Sequence, residues 1–310
     1  MSASRKTAIS VVGSLNIDYI CRVEFLPSPG ATVPSEHLEL YRGGKGANQA
    51  IAAARQECHI CFFGAVGNDP EGQQYRKALE SEKIDVSQLI TTDLRTGAAF
   101  ITVDELGENM IVTAAGANES VTAAHILRNA DIIEACQAVL GQFETPIPAL
   151  VEAIRIANRA EIPVVINPSP FNPTFPWQEI ESDYVIVNGN EAVELLDFDP
   201  LSESSEQVRR RLHELRIGHL IITRGRDETL VYRHHEEPFE VPTLPVLPVD
   251  TVGAGDAFAG CFTARIACGE SLDSAIRAAN CAGALTTLGS GAQDPIPNRA
   301  GVSQHLETLA

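Results

Sequence analysis

Asp250-Thr-Val-Gly-Ala-Gly-Asp-Ala-Phe258 reads as the end of a strand, a glycine turn and the opening of a helix running to about Cys268. Upstream, Val246 to Val249 is apolar apart from Pro248, which suits the edge or entry of a strand. Gly253 and Gly255 leave no side chain above the turn, so the first helical N–H groups face outward with the positive end of the helix dipole behind them. Such a mouth accepts an anion. Asp256 stands on its rim, where a carboxylate suits taking a proton from a hydroxyl that attacks a phosphoryl group. A plain tight connection, with Asp256 as a helix cap, fits the same residues. The stretch is not a dinucleotide fingerprint, because the third glycine would fall at Phe258, and no Walker A loop occurs here or around Lys45.

Outward from this stretch, strand-like runs alternate with amphipathic ones, the pattern of a parallel sheet covered by helices. Strands are predicted over Thr7–Gly13, Cys58–Val66, Gln137–Gln142, Val164–Asn167, Tyr184–Asn188 and Leu220–Thr223, and helices over Gly46–Gln56 and Pro70–Lys83. The second helix opens on Asp69-Pro70, an N-cap followed by proline at the first helical position. No repeat or linker interrupts the alternation, so residues 1–310 are read as a single α/β domain. Ile17–Val23, Glu36–Tyr41, Gly97–Val103 and Asn109–Ala115 are strand-like without intervening helices. They predict a small antiparallel sheet, a lid or interface, inserted as segments 15–42 and 96–115.

The totals narrow the function. A formal charge of −18 over 310 residues, with 41 Asp and Glu against 23 Lys and Arg, opposes nucleic acid and an anionic membrane surface as partners. An anionic ligand would need locally placed cations, which draws attention to Lys45, Arg224 and Arg226. No apolar run is long enough to span a membrane, and the N-terminal residues enter the first strand without a signal-peptide core. Seven scattered cysteines point to reduced thiols and the cytoplasm. Cys58-His-Ile-Cys61 matches C-x-x-C, but positions three apart on a strand face opposite ways, so these two thiols are read as core residues.

A second site emerges from Gly13-Ser-Leu-Asn-Ile-Asp18. In an extended run Asn16 and Asp18 share a face, and an amide beside a carboxylate suits neighbouring hydroxyls of a polyol. An Asx turn leading into the strand is the plainer alternative. Arg42-Gly-Gly-Lys-Gly-Ala-Asn48 repeats the glycine-before-helix pattern and puts Lys45 and Asn48 on one face of a first turn. Two glycine-rich helix starts, one offering Lys and Asn and the other Asp, fit a hydroxylated substrate and a phosphate donor.

Gly43-Gly-Lys-Gly-Ala-Asn-Gln-Ala50 and Asp250-Thr-Val-Gly-Ala-Gly-Asp256 resemble the two signatures of the ribokinase (PfkB) carbohydrate-kinase family, with Ala115-Gly-Ala-Asn118 adding to the likeness. The resemblance runs from about Ile9 to Pro297 and implies a Rossmann-like αβα sandwich with a β lid that clasps a second subunit as a homodimer. It implies an ATP-dependent sugar kinase, with D-ribose the expected substrate. A nucleoside, fructose or a ketodeoxy sugar acid is the alternative within the family, and a non-catalytic sugar- or nucleotide-sensing module the alternative outside it. By resemblance Asp256 is the base, and the N–H groups of Gly253, Ala254 and Gly255 form the anion hole. Asn16, Asp18, Gly44, Lys45, Asn48 and Glu144 would hold the sugar, although Glu144 taken alone is an ordinary strand-end residue. Asn188-Gly-Asn-Glu191 matches a motif whose glutamate organises Mg²⁺ through water; taken alone, Glu191 is first-turn charge compensation. Thr223, Arg224, Gly225, Arg226 and Glu228 occupy the nucleotide-phosphate loop, where the family usually carries glycine in place of Glu228. Asn280 would flank adenine. K⁺ would be held largely by carbonyls near Asp250, Val252, Thr286, Gly289 and Gly291.

Overall fold

The computed structural model describes residues 7–234 and 236–309, so the N-terminal residues 1–6, on which the leader-free start was read, lie outside the described residues. Ala8–Val12 (β1) is followed by Asn16–Arg22 (β2), Leu38–Gly43 (β3), Lys45–Arg55 (α1), His59–Gly67 (β4) and Pro70–Ser81 (α2). Leu89–Thr92 (β5), Gly97–Val103 (β6) and Asn109–Ala114 (β7) lead to two short helices, Ala123–Arg128 (α3) and Ala130–Glu134 (α4). Next come Ala138–Gln142 (β8), Ile147–Arg159 (α5), Val164–Asn167 (β9), Ser182–Asn188 (β10), Gly189–Leu196 (α6), Ser205–Glu214 (α7) and Ile217–Arg224 (β11). Asp227–Arg233 (β12) and Phe239–Val241 (β13) precede the closing helices Ala254–Ala267 (α8), Leu272–Thr286 (α9) and Arg299–Leu309 (α10).

Nine strands form the main sheet in the order β13-β12-β11-β10-β9-β8-β1-β4-β5. Pairing is parallel from β11 to β5, and only β12 and β13 at one edge run antiparallel. Alternate residues of β1 feed two separate cores: Ile9 and Val11 pack with Phe62, Phe258 and Phe262, and Val12 packs with Phe63, Leu150 and Ile154. A strand buried on both faces is what a parallel sheet between helical layers requires. The αβα sandwich expected from the sequence is present.

Two expectations need correction. Val246–Val249 forms no strand; residues 242–253 are irregular, because Pro242, Pro245 and Pro248 each lack the N–H a ladder needs. The lid is a four-stranded sheet, β3-β2-β6-β7, but it is mixed: β2 pairs antiparallel with β3 and parallel with β6. The chain crosses the main domain between β2 and β6, and parallel neighbours need such a crossover rather than a hairpin.

Helices α1 and α8 meet at Gly260, where an added Cβ would lie 2.3 Å from the Gln49 carbonyl and 2.6 Å from the Ala52 methyl. Ala47, Ala50, Ala52 and Ala53 keep the facing side of α1 equally small. Small residues on both helices therefore bring the first turn of α1 against the first turn of α8. That approach assembles the site.

Candidate active site

Both helix mouths start on glycines at positive φ, Gly44 at 90° before α1 and Gly253 at 78° before α8. At Gly253 a Cβ would also sit 2.6 Å from the Ala292 carbonyl oxygen, so only glycine fits. Neither N-cap glycine has a side chain to cap its helix, and at α1 the Lys45 and Gly46 N–H groups are instead met by Glu144 Oε2 and Ser14 Oγ. Gly253 and Gly255 line a cleft of about 230 Å³ together with Lys45, Asn167, Asn188, Glu191, Thr223 and Asp256. The Ala254 N–H is turned toward the Thr251 carbonyl at 3.3 Å.

Asp256 is buried in the first turn of α8. Its Oδ2 accepts from Asn48 Nδ2 and its Oδ1 from Gln49 Nε2, each at 2.9 Å. Behind them the amides form a relay. Gln142 Nε2 donates to Gln49 Oε1 at 2.6 Å, and Gln293 Nε2 donates to Asn48 Oδ1 at 2.8 Å and to the Tyr75 hydroxyl at 2.6 Å. Tyr75 in turn donates to the Gly43 carbonyl at 2.6 Å. An ionised carboxylate offers about four lone-pair positions, so Asp256 is held at a fixed angle while keeping acceptor capacity for a substrate hydroxyl. Gln49, Gln142, Gln293 and Tyr75 went unassigned in the sequence reading. For Gln49 a signal existed, since it adjoins Asn48 in the motif; the other three are joined to it only by folding.

The lid side is built from β1, β2 and the Gly116–Ser120 turn. Asn118 Nδ2 donates to Asn16 Oδ1 at 2.9 Å, and Asn118 Oδ1 accepts from the Leu15 N–H at 3.0 Å, fixing the entry to β2. Asp18 lies against the Gly43 backbone, so closely that a Cβ on Gly43 would overlap its carboxylate. Burial, then the neighbouring carboxylates of Glu144 and Asp256, push its pKa from 3.8 up to about 7. Glu144 Oε2 accepts from Ser14 Oγ at 2.5 Å and from the Lys45 N–H at 2.9 Å, joining the β1–β2 connection to the mouth of α1. It is therefore a bridging group and not a loose strand-end residue. Burial works to lower the Lys45 ammonium, but Asp256, Glu144 and Glu191 outweigh it and hold the group above its ordinary value. Asn16, Asp18, Gly44, Lys45, Asn48, Glu144 and Asp256 thus converge on one region.

The side expected to face the nucleotide is less uniform. Asn188 and Glu191 form a reciprocal capping box on α6: the Glu191 N–H donates to Asn188 Oδ1 and the Asn188 N–H to Glu191 Oε2, both at 2.9 Å. Thr223 reaches the cleft, its Oγ1 donating to the Val187 carbonyl at 3.2 Å. Gly225 and Arg226 are the two-residue turn between β11 and β12, and Glu228 is exposed on β12. Arg224 is a strut, donating to the Glu228 carbonyl at 2.7 Å and to Glu240 Oε1 at 2.6 Å. Asn280 is likewise committed: its Oδ1 accepts from Thr229 Oγ1 at 2.6 Å and its Nδ2 donates to the Val241 and Pro242 carbonyls. These bonds brace α9 against the antiparallel edge and spend both amide protons, so the amide end of Asn280 is not offered to a base.

The two candidate cation loops are tied together. Asp250 Oδ1 accepts from the Val252 N–H at 3.0 Å and Oδ2 from the Gly291 N–H at 2.9 Å, while the Val249 and Asp250 N–H groups donate to the Thr287 carbonyl. The Thr286 carbonyl is shared with the Gly289 N–H at 3.4 Å. Oxygen donors of this kind suit a hard cation.

The model of the pfkB family of carbohydrate kinases matches residues 6–299. The chain is 33% identical to a ribokinase of Haemophilus influenzae over 98% of its own length and 99% of the relative's. It is 32% identical to a ribokinase of Bacillus subtilis, over 96% and 99%. Among solved structures, ribokinase from Giardia lamblia superposes with a TM-score of 0.90 at 25% identity, covering 99% of this chain and 100% of that one. Arabidopsis thaliana ribokinase complexed with ribose and ATP superposes with a TM-score of 0.88 at 25% identity, over 98% and 99%. With the sandwich, the lid and both glycine mouths in place, the chain belongs to the pfkB family of carbohydrate kinases.

Proposed function

We propose that the chain, as one domain over residues 1–310 with its lid inserted, transfers the γ-phosphoryl group of ATP to the primary hydroxyl of D-ribose. The observation that carries this reading is the placing of Asp256, held by Asn48 and Gln49 between the sugar-facing carboxylates and the Gly253–Gly255 mouth. Asp256 takes the hydroxyl proton as the oxygen attacks, and the N–H groups of Gly253, Ala254 and Gly255 hold the charge that develops on the phosphoryl oxygens. The Ala254 N–H must leave the Thr251 carbonyl to take part. Asn16, Asp18, the Gly44 backbone, Lys45, Asn48 and Glu144 hold the sugar hydroxyls. Positioning and charge stabilisation of this kind are what phosphoryl transfer needs.

Thr223, Gly225 and Arg226 flank the nucleotide phosphates, and Asn188 caps the neighbouring helix. Arg224, Glu228 and Asn280 support that side as struts. Glu191 fits a Mg²⁺ bound through water, because the cap uses only one of its carboxylate oxygens. Mg²⁺, when bound, would neutralise charge on the phosphates. The carbonyls near Asp250, Val252, Thr286, Gly289 and Gly291 fit K⁺, which would stiffen the loop that ends in Gly253. Of the two arginines that could meet a ketodeoxy sugar acid, Arg22 is paired with Glu39 at 2.8 Å, which leaves Arg42, beside Tyr75 and Gln293, as the candidate for that alternative.

Leu38, Leu40, Phe100, Met110, Ile111 and Val112 are exposed apolar residues of the lid, and Tyr19 stacks on Phe100 with ring centroids 5.3 Å apart. An apolar surface of this kind calls for a partner, and a second lid in a homodimer supplies one. Among the described residues all seven cysteines are thiols, which fits a reducing, cytoplasmic setting, and no helix is long and apolar enough to cross a membrane.

The test is turnover of the purified chain with ATP and Mg²⁺, with and without K⁺, against D-ribose, 2-deoxyribose, fructose, a nucleoside and a ketodeoxy sugar acid. The highest kcat/KM is expected for D-ribose, with phosphate on its primary hydroxyl. A higher value for another acceptor would reassign the substrate, and no ADP with any acceptor would leave a sensing module.

A further inference from the structure

Cys58 and Cys61 do face opposite ways, Cys58 into the core beside α8 and Cys61 into the other core, on the side of α4. The same alternation puts His59 and Cys61, two apart on β4, on one face. Asp85 is fixed beside them by a parallel bridge to Cys61: its N–H donates to the Ile60 carbonyl at 2.8 Å and its carbonyl accepts from the Phe62 N–H at 3.0 Å. One ligand atom each from His59, Cys61 and Asp85 lies within 4.8 Å of the other two. A fourth donor, Cys136, meets the Cys61 thiol from the end of α4, where it also contacts Ser10 Oγ at 3.3 Å and donates to the Ile132 carbonyl at 3.2 Å. Cys61, Cys136 and His59 line one open cavity of about 520 Å³, so an ion can enter from solvent. The cluster sits at the opposite end of β4 from the lid, and the proposed phosphoryl transfer has no use for it.

We propose that His59, Cys61 and Asp85, with Cys136 as the fourth ligand, form a site for a borderline-soft divalent transition ion of the Zn²⁺ type. One imidazole, one carboxylate and two sulfurs are a donor set that favours Zn²⁺ over Mg²⁺ or Ca²⁺, which prefer oxygen throughout. Tetrahedral Zn²⁺ with bonds of about 2.0–2.3 Å places its ligand atoms roughly 3.3–3.8 Å apart, so the tips of His59, Cys61 and Asp85 must draw in by about an ångström, and Cys136, which lies outside their 4.8 Å group, must move further. His59 is exposed and Asp85 half-buried, which lets them move, while Cys61 is the buried anchor. Asp85 is already oriented by the Ser87 N–H, which donates to its Oδ1 at 2.8 Å. Binding replaces the Cys61 and Cys136 thiol protons, which leave to solvent, and ties β4 to the segment after α2 and to the end of α4.

The test is titration of chelator-stripped, reduced protein with Zn²⁺ against a chromophoric chelator, and with Co²⁺ for thiolate-to-metal absorption. One equivalent per chain is expected, with the Co²⁺ band present and the melting temperature raised by the ion. His59→Ala, a surface change that spares the core, and Cys61→Ser should each weaken Zn²⁺ by about tenfold or more. Asp256→Asn and Glu191→Gln should bind like the parent. No uptake by the parent, or uptake that His59→Ala and Cys61→Ser leave unchanged, overturns the site. Sugar-kinase activity does not enter this readout, so its failure and the failure of the kinase reading are separate.

Discussion

Gln49 Nε2 donates to Asp256 Oδ1 at 2.9 Å across the contact of α1 and α8, and the same nitrogen donates to Asn167 Oδ1 at 3.0 Å. One amide therefore positions the proposed base from a neighbouring helix and ties it to the carboxyl end of β9. The orientation of Asp256 depends on how closely the two helices pack as much as on its own rotamer.

Gln49→Leu keeps the volume but strips three side-chain bonds, leaving Gln142 Nε2, Asp256 Oδ1 and Asn167 Oδ1 each short of a partner. An unsatisfied buried polar group costs about 1–3 kcal/mol. The variant should melt earlier and lose kcat more than it raises KM for the sugar, measured by thermal unfolding and steady-state kinetics. An unchanged kcat would show that the amide is only a packing element.

Gly253→Ala asks a side chain to take φ of 78° and to enter the space of the Ala292 carbonyl. Backbone strain of this sort costs on the order of 1–3 kcal/mol before the clash is counted. The turn should relax away from the phosphate, so turnover should fall sharply while sugar binding, measured calorimetrically without nucleotide, changes little. Equal loss of sugar affinity would mean that the two helix mouths are not independent.

Asp18 carries a pH signature. Its pKa is raised in the folded chain from 3.8 to about 7, so between those values the folded state binds more protons than the unfolded state. Stability therefore falls as pH rises through that window, and the contribution is fully lost above about 7. Asp18→Asn mimics the protonated form. It should stabilise the sugar-free chain relative to the parent at pH 8 and be close to neutral at pH 4, with a difference on the order of a few kcal/mol at most. A melting-temperature difference that does not vary with pH would contradict this.

The layers of the sandwich, the lid segments and both glycine mouths were legible because each is a local pattern: alternating strand and helix periods, or glycines ahead of a helix. The irregular stretch at residues 242–253 was misread because Val246, Leu247 and Val249 look like strand, whereas the three prolines deny it a ladder. The mixed lid was hidden because the parallel partner of β2 lies beyond β4, α2 and β5 in the chain. Gln142, Gln293 and Tyr75 could not be placed from the sequence, since their roles arise from the approach at Gly260. Arg224 and Asn280 have bracing roles that no local pattern announces. Their motif positions suggested ligand contacts, and folding gave their hydrogen bonds to Glu240, Glu228, Thr229 and the β13 edge.

Asp256→Asn asks whether Asp256 removes the proton from the attacking sugar hydroxyl, because the amide keeps the shape and one of the two hydrogen bonds from Asn48 and Gln49 but loses basicity. Steady-state turnover with ATP, Mg²⁺ and D-ribose should fall by about 10²–10⁴-fold, while the calorimetric affinity for D-ribose stays close to that of the parent. Near-normal turnover in a folded Asp256→Asn variant would contradict the account.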